Sequence, residues 1–309
     1  MYGAKLYDVP ANLDETIDLW HKLNFNTLFL GQKCKTDIAF LERLRAENFF
    51  INIIEPTFLA DDSIPDERFA ITSDGNRAKD TWVRFVCPTD EEWLNQIYKR
   101  IENDAKLPVS GLSIDFIRFF QFWETTPFNA DYKKLPATCY CPRCNEDKKN
   151  YSSEAEWRMA KIESVVEKCT NIIRKTNPDL KIGLHAVPWK KSMFNGAVEN
   201  LLGQSLNRLY KYVDYFTPMA YHQMVDRPVS YIKELIEDQI EQTEGKVNIV
   251  PSIQIKGYYK DVKLSLEENI ETIKTAASGK SSGLIFFQWL DLLEKPELLE
   301  YLKSHNICK

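Results

Sequence analysis

The chain has no Gly-rich loop after its first apolar segment, no P-loop and no pair of histidines at metal-ligand spacing among its four. Each absence removes a class of function. Without a backbone cradle for phosphate there is little support for nucleotide or phosphoryl chemistry. Without a histidine pair the usual catalytic metal site has no ligands to start from. A basic excess is missing too: 40 Lys and Arg face 45 Asp and Glu, a net charge of -5. That balance gives no footprint for nucleic acid or an anionic membrane surface and fits an uncharged substrate better. No apolar run approaches the roughly 20 residues of a membrane span. The stretch Met1-Tyr2-Gly3-Ala4-Lys5-Leu6 lacks the charged and apolar regions of a secretion signal, so the expectation is a cytoplasmic protein. Seven cysteines is an odd number, and three fall within six residues. This argues against a disulfide framework and for reduced thiols, some of them on a metal.

What is present is ample material for a core. Apolar residues make up 44% and aromatics 12%, with 14 Tyr, 17 Phe and 7 Trp, which leaves rings over for a ligand cleft. Short apolar runs alternate with amphipathic stretches at helical period, the pattern of repeated βα units around a parallel sheet. Eight units can be counted. Strands are expected at about Lys5–Asp8, Asn26–Leu30, Phe49–Ile54, Gly111–Phe119, Lys181–Val187, Val213–Ala220, Val247–Gln254 and Gly283–Gln288. Helices fall between them, near 13–23, Thr36–Asn48, Asp90–Asp104, Glu154–Thr176, Ala197–Tyr210, Val229–Thr243, Ser265–Ala277 and Pro296–Ser304. Asn12 with Glu15 reads as a capping box for the first helix, and Thr89 as the cap of the third. Long loops follow strand three, Thr57 to about Pro88 with Trp82, Phe85 and Val86, and strand four, Phe120 to about Ser153 with Trp123. Loops of that length in compact domains are functional or disordered, and the interleaved aromatics favour function. No linker or composition break divides the chain. The expected fold is α/β, one (β/α)8 TIM barrel over 1–309. An open doubly wound sheet is the alternative, weakened by the missing Gly-rich loop.

In such barrels the active site lies at the carboxyl face, so strand-end residues are the candidates. They include Asp8, Gln32, Glu55, Asp115, Arg118, His185, Trp189, Tyr221, His222, Gln254, Gln288, Trp289 and Asp291. Carboxylates supply acid, base or nucleophile; Gln, His and Tyr read hydroxyls; Trp offers a platform for a sugar ring. The combination points to a carbohydrate site. Each member also has an ordinary reading. Asp8 and Asp291 serve as turn residues, His185 as a satisfied core histidine, and Trp189 or Trp289 as core. Asp115 with Arg118 is the strongest pair, because an adjacent arginine favours the ionised carboxylate and fixes its orientation.

Cys139-Tyr140-Cys141-Pro142-Arg143-Cys144 places three thiolates in a tight turn, suited to a tetrahedral zinc that needs one more ligand, and Cys87 is the natural fourth. Four sulfurs leave no open position, which makes the expected site structural. Cys34, Cys169 and Cys308 remain as ordinary residues. This CxCxxC cluster after strand four, with an earlier Cys before the preceding helix, resembles the zinc site of family 42 glycoside hydrolases, the β-galactosidase-like (β/α)8 barrels. Gly111 to Phe119 resembles the "GxxxDYIRFP" strand of a wider group of glycoside hydrolase-like barrels, and Val213 to Tyr221 resembles their "VDYxxPMxY" sixth strand. Family 42 enzymes place one catalytic glutamate at the end of strand four, in an Asn-Glu pair, and a second at strand seven. Here Phe116-Ile117 and Gln254 stand near those positions, so the two-glutamate mechanism does not carry over. Asp115 must then lead, as the strand-four Asp does in several α-glycosidase-type barrels, with a partner acid from Glu55, Asp226 or Asp291. The expected function is hydrolysis of a small glycan or glycoside. Asp115 would act as nucleophile or base oriented by Arg118, and Glu55 or Asp226 as acid. His185, Tyr221, His222, Gln254 and Gln288 would read hydroxyls, and Trp189 and Trp289 would line the sugar subsites. The alternative is a non-catalytic carbohydrate-binding barrel that has lost the clan's catalytic glutamates and keeps the aromatic and hydroxyl-reading groups, with Asp115 a lone carboxyl in the cleft.

Overall fold

The computed structural model describes residues 1–61, 63–259, 262–278, 280–305 and 307; Cys308 lies outside them. Nine parallel strands form one curled sheet. They are β1 Tyr2–Leu6, β2 Thr27–Leu30, β3 Phe50–Pro56, β4 Gly111–Asp115, β5 Lys181–Ala186, β6 Tyr215–Pro218, β7 Asn248–Ile249, β8 Ser252–Gln254 and β9 Leu284–Phe287. Their order is β8-β9-β1-β2-β3-β4-β5-β6-β7. The expected seventh strand is thus two short ones flanking Val250-Pro251, because a proline has no N–H to give the ladder. β6 pairs with β7, then reaches β8 through the Met219–Ser252 bridge and the Ala220 N–H to Ser252 carbonyl bond at 2.8 Å. β8 pairs with β9, so the sheet returns on itself across this broken stave. The first strand lies earlier than its weak apolar signal suggested: Gly3 and Ala4 belong to it, small residues that carry little hydrophobic pattern.

Successive side chains of a strand point to opposite faces. One set fills the inside of the sheet, where Phe29, Ile54, Tyr215, Val250 and Ile285 pack together. The other set, including Leu28, Ile53, Leu112, Ile114, Leu184 and Phe216, packs under the helices. The Tyr215 hydroxyl crosses the interior to donate to Asn52 Oδ1 at 2.7 Å. Gly183 permits that crossing, since a Cβ there would lie 2.2 Å from the Tyr215 ring.

The helices are α1 Leu13–Lys22, α2 Ile38–Ala46, α3 Glu91–Asp104, α4 Pro142–Asp147, α5 Glu154–Thr176, α6 Ala197–Asn200, α7 Leu206–Leu209, α8 Tyr231–Gln242, α9 Leu266–Ala277, α10 Trp289–Leu293 and α11 Pro296–Ser304. The single helix expected over Ala197–Tyr210 is two short ones, with Gly203 at φ +68° between them. α5 is held at its start by Ser153, whose hydroxyl accepts the Glu156 N–H at 3.1 Å, and it buries Trp157, Ile162, Val166 and Ile173. Asp90, not Thr89, caps α3 by accepting the Trp93 N–H at 2.9 Å. Asn12 precedes α1 but its side chain makes no capping bond, reaching Glu15 Oε2 at 3.3 Å instead. None of the described helices is long and apolar enough to cross a membrane.

Candidate active site

Every strand of the sheet runs in the same direction, so its carboxyl ends open on one face. A cleft of about 330 Å³ lies there, lined by Lys5, Tyr7, Trp82, Asp115, Phe116, Trp123, Glu124, Tyr221, Tyr258, Tyr259 and Phe287 among others. Asp115 ends β4 on the inward parity set by Ser113 and is 7% exposed. Its Oδ1 accepts the N–H of Phe116 at 2.7 Å, and Phe116 turns the chain sharply at φ +50°. A bulky residue in that left-handed region costs about 1–3 kcal/mol and persists where the surroundings over-determine it, a situation common at functional sites.

The second carboxyl of the cleft is Glu124, which sequence reasoning missed. It sits on a 3-10 turn, Trp123–Thr125, in the loop after β4, and is 6% exposed. Its Oε2 is buried without a hydrogen-bond partner among the described residues. Burial pushes its carboxyl up to about 7, against the pull of Arg118, and Asp115 adds to the rise. The available signal was an acid embedded in the aromatic run Phe119-Phe120-Gln121-Phe122-Trp123-Glu124, directly after the strand that bears Asp115.

Lys5, also absent from the candidate list, lies at the floor. Its Nζ is 3.4 Å from both His185 Nδ1 and the Tyr221 hydroxyl, and 5.4 Å from the centre of the Phe287 ring. Burial lowers its ammonium to about 8, partly opposed by Asp115. His185 is buried beside it, and burial together with Lys5 holds the imidazole down to about 3, neutral at physiological pH. Tyr221 stacks on Phe287, centres 5.0 Å apart, and shares a 3.0 Å hydrogen bond with Ser252 Oγ. The walls come from three loops. Trp82, from the loop after β3, donates to the Tyr259 hydroxyl at 2.8 Å, and both rings meet Phe122 edge-on.

The other predicted residues lie elsewhere. Glu55 falls on the outward parity of β3, where it is fully buried. It receives hydrogen bonds from Arg100 Nε and from Gln32 Nε2 at 3.1 Å, with Lys35 at 3.7 Å and bridging to Asp104. Burial raises its carboxyl while Arg100 and Lys35 pull it down. Asp226 is exposed at φ +52°, and Asp8 pairs with Lys33 at 3.0 Å. Arg118 is buried, but its guanidinium donates to the Gln121 carbonyl at 2.7 Å and lies over the Phe85 ring. It reaches Asp115 only through longer-range electrostatics and organises the Glu124 loop instead. Trp189 packs on Phe194, and Trp289 on Trp20 and Phe25, both within the core. His222 Nε2 lies 3.0 Å from Glu268 on α9. Gln254 bonds Gln223 and the Lys256 carbonyl, each at 3.0 Å. Gln288 caps α10 in a capping box with Asp291, whose carboxylate also accepts the Tyr258 hydroxyl.

The four cysteines Cys87, Cys139, Cys141 and Cys144 do come together, with all sulfurs within 4.8 Å of one another. Cys87 Sγ lies 3.5 Å from Cys144 and 3.9 Å from Cys141. A tetrahedral zinc with Zn–S bonds of about 2.3 Å places its sulfurs about 3.8 Å apart, so the donor set fits. Around it, Arg143 Nη2 and the Ile71 N–H approach sulfur at 3.5 and 3.3 Å, donors suited to a charge-rich thiolate centre. Thr89 Oγ1 meets Cys87 and Cys144 at 3.3 and 3.2 Å, which is where the hydroxyl expected to cap α3 is spent.

Fold and cleft together define a TIM-like α/β protein with a buried carboxyl pair at the carboxyl face. No family model matches the chain, and no curated protein matches it. Solved structures do. The glycoside hydrolase domain of PgaB (BpsB) from Bordetella bronchiseptica superposes with a TM-score of 0.73 at 13% identity, over 98% of this chain and 97% of that one. A family 42 β-galactosidase from G. stearothermophilus gives 0.65 at 10% identity over 98% of this chain and 56% of that one, so the chain spans little more than half of that enzyme. The glycoside hydrolase domain of PelA from Pseudomonas aeruginosa gives 0.54 at 11%, over 94% and 96%. At these identities the likeness is one of fold, and it is the fold of glycoside hydrolases.

Proposed function

We propose that the protein is a glycoside hydrolase of a single (β/α)8 barrel domain, cutting a small glycan or glycoside with Asp115 and Glu124. The observation that carries the reading is the pair of buried carboxyls in one aromatic-walled cleft. Glycoside hydrolysis needs two, one to protonate the leaving oxygen and one to attack or to activate water. Glu124 suits the acid, since a carboxyl near 7 still holds a proton at neutral pH where an ordinary one does not. Asp115 takes the role of nucleophile or base. Its orientation comes from the Phe116 N–H, with Arg118 acting on the Glu124 loop. The pairing favours hydrolysis over the binding-only barrel, which requires no second carboxyl. Glu55 and Asp226 have no part in the chemistry under this reading. Tyr221, through its stacking on Phe287, and His185, through Lys5, shape the floor, while the exposed Trp82 replaces Trp189 and Trp289 as the candidate sugar platform.

The four-cysteine cluster is proposed to hold a structural Zn²⁺, which would fasten the loop carrying Cys87 to the loop carrying Glu124. With all four positions taken by sulfur it supplies no chemistry at the cleft.

Kinetics on a panel of alkyl glycosides and oligosaccharides, whose leaving oxygens need protonation, test the assignment. Asp115→Asn and Glu124→Gln should each lower kcat/KM by about 10²- to 10⁴-fold with unchanged circular dichroism. Wild-type rates in both variants would refute it.

A further inference from the structure

Lys5 is a buried cation with a donor left over. It is 1% exposed, and its Nζ meets two acceptors, His185 Nδ1 and the Tyr221 hydroxyl, both at the long distance of 3.4 Å. An ammonium carries three N–H groups. The nearby Asp115 acts on it electrostatically but makes no direct hydrogen bond or ion pair with it. One N–H of Lys5 therefore has no acceptor among the described residues. A buried donor left unmet is costly, more so when charged. The residue lines the cleft, so an oxygen entering from outside can complete its bonding. Around it are aromatic faces, Phe287 below and Trp123 within 6.2 Å of Tyr221, against which a sugar ring can lie.

We propose that Lys5 is a specificity-determining residue of the cleft, donating its third N–H to one hydroxyl oxygen of a neutral sugar seated there. The inference rests on the glycosidase reading and names what that site recognises. A hydroxyl fits better than a sugar carboxylate, because Asp115 already supplies counter-charge to Lys5 and a second anion would be repelled by it.

The test uses the intrinsic fluorescence of Trp82 and Trp123 to titrate glucose, galactose and mannose, their monodeoxy analogues, and the matching uronates. Proteins compared are wild type, Lys5→Met, which is close to isosteric and has no donor, and Lys5→Leu. At least one neutral sugar should bind wild type, and one of its deoxy analogues should bind about 10- to 100-fold more weakly. Lys5→Met should lose a similar factor for the parent sugar and no longer distinguish that analogue. Unchanged affinity and discrimination in Lys5→Met overturns the inference, as does a uronate binding more tightly than its neutral parent. If Lys5→Met does not fold, Lys5→Leu, which likewise carries no donor, takes its place, and wild-type discrimination in it is the refuting result. Sugar binding that ignores Lys5 defeats this inference alone; no sugar binding to wild type defeats the glycosidase reading as well.

Discussion

Glu124 gives the site its clearest chemical signature, because its surroundings work against its charge. A carboxyl that holds its proton more tightly in the folded chain than in the unfolded one makes the native state lose stability as pH rises from about 4.5 through about 7. Removing the charge should return that stability. Glu124→Gln is expected to melt higher than wild type at pH 8, by on the order of 2–3 kcal/mol, and at the same temperature at pH 4. Thermal melts at the two pH values check this, and a variant no more stable at pH 8 would contradict it. The same group sets the pH profile: hydrolysis should fall as pH rises past about 7, and that limb should vanish in Glu124→Gln. Asp115 was legible in the sequence because an apolar strand delivers it at the strand's end. Glu124 was marked only by the aromatic run around it, because a loop sequence does not show whether its carboxyl is enclosed or solvated. Only its enclosure in the folded cleft makes the difference.

At the scale of elements, parity decides which strand-end residues reach the cleft. Asn52 and Ile54 face inward on β3, so Glu55 must face the helices, and the period of two along the strand contained that answer. Its partners come from α2's approach and from α3, a buried ion network between sheet and helix. Breaking a buried pair by removing one member costs about 3–5 kcal/mol. Glu55→Ala should therefore lower chemical-denaturation stability by that order and leave kcat unchanged near neutral pH, whereas a catalytic Glu55 would lose activity with little change in stability. The cysteine cluster joins two loops in the same structural sense. Its spacing was readable because three thiols in six residues leave few other purposes. That Thr89 would serve the cluster rather than cap α3 depended on Asp90 standing one residue closer to the helix. Metal analysis of the purified protein should find about one zinc per chain. Cys144→Ser should lose it together with at least about 2 kcal/mol of stability. Less than about a tenth of an equivalent in wild type would count against the site.

At the scale of the molecule, alternation of strand and helix carried the architecture, since amphipathic periods survive any detail of packing. What periodicity could not convey was local: the break at Pro251, the division of α6 from α7 at Gly203, and a first strand disguised by Gly3 and Ala4. The long loops after β3 and β4 were visible as insertions, but their meeting above the cleft, through Trp82, Phe122 and Tyr259, is a product of the curled sheet that brings distant segments together. The central claim is that Asp115 and Glu124 flank one glycosidic bond. A crystal structure of Glu124→Gln with a bound oligosaccharide tests it directly. The account predicts the glycosidic oxygen within hydrogen-bond reach of residue 124, the anomeric carbon facing Asp115, and the two side chains about 5–10 Å apart across the bond. A sugar seated away from either residue, or one that meets Asp115 alone, would contradict it.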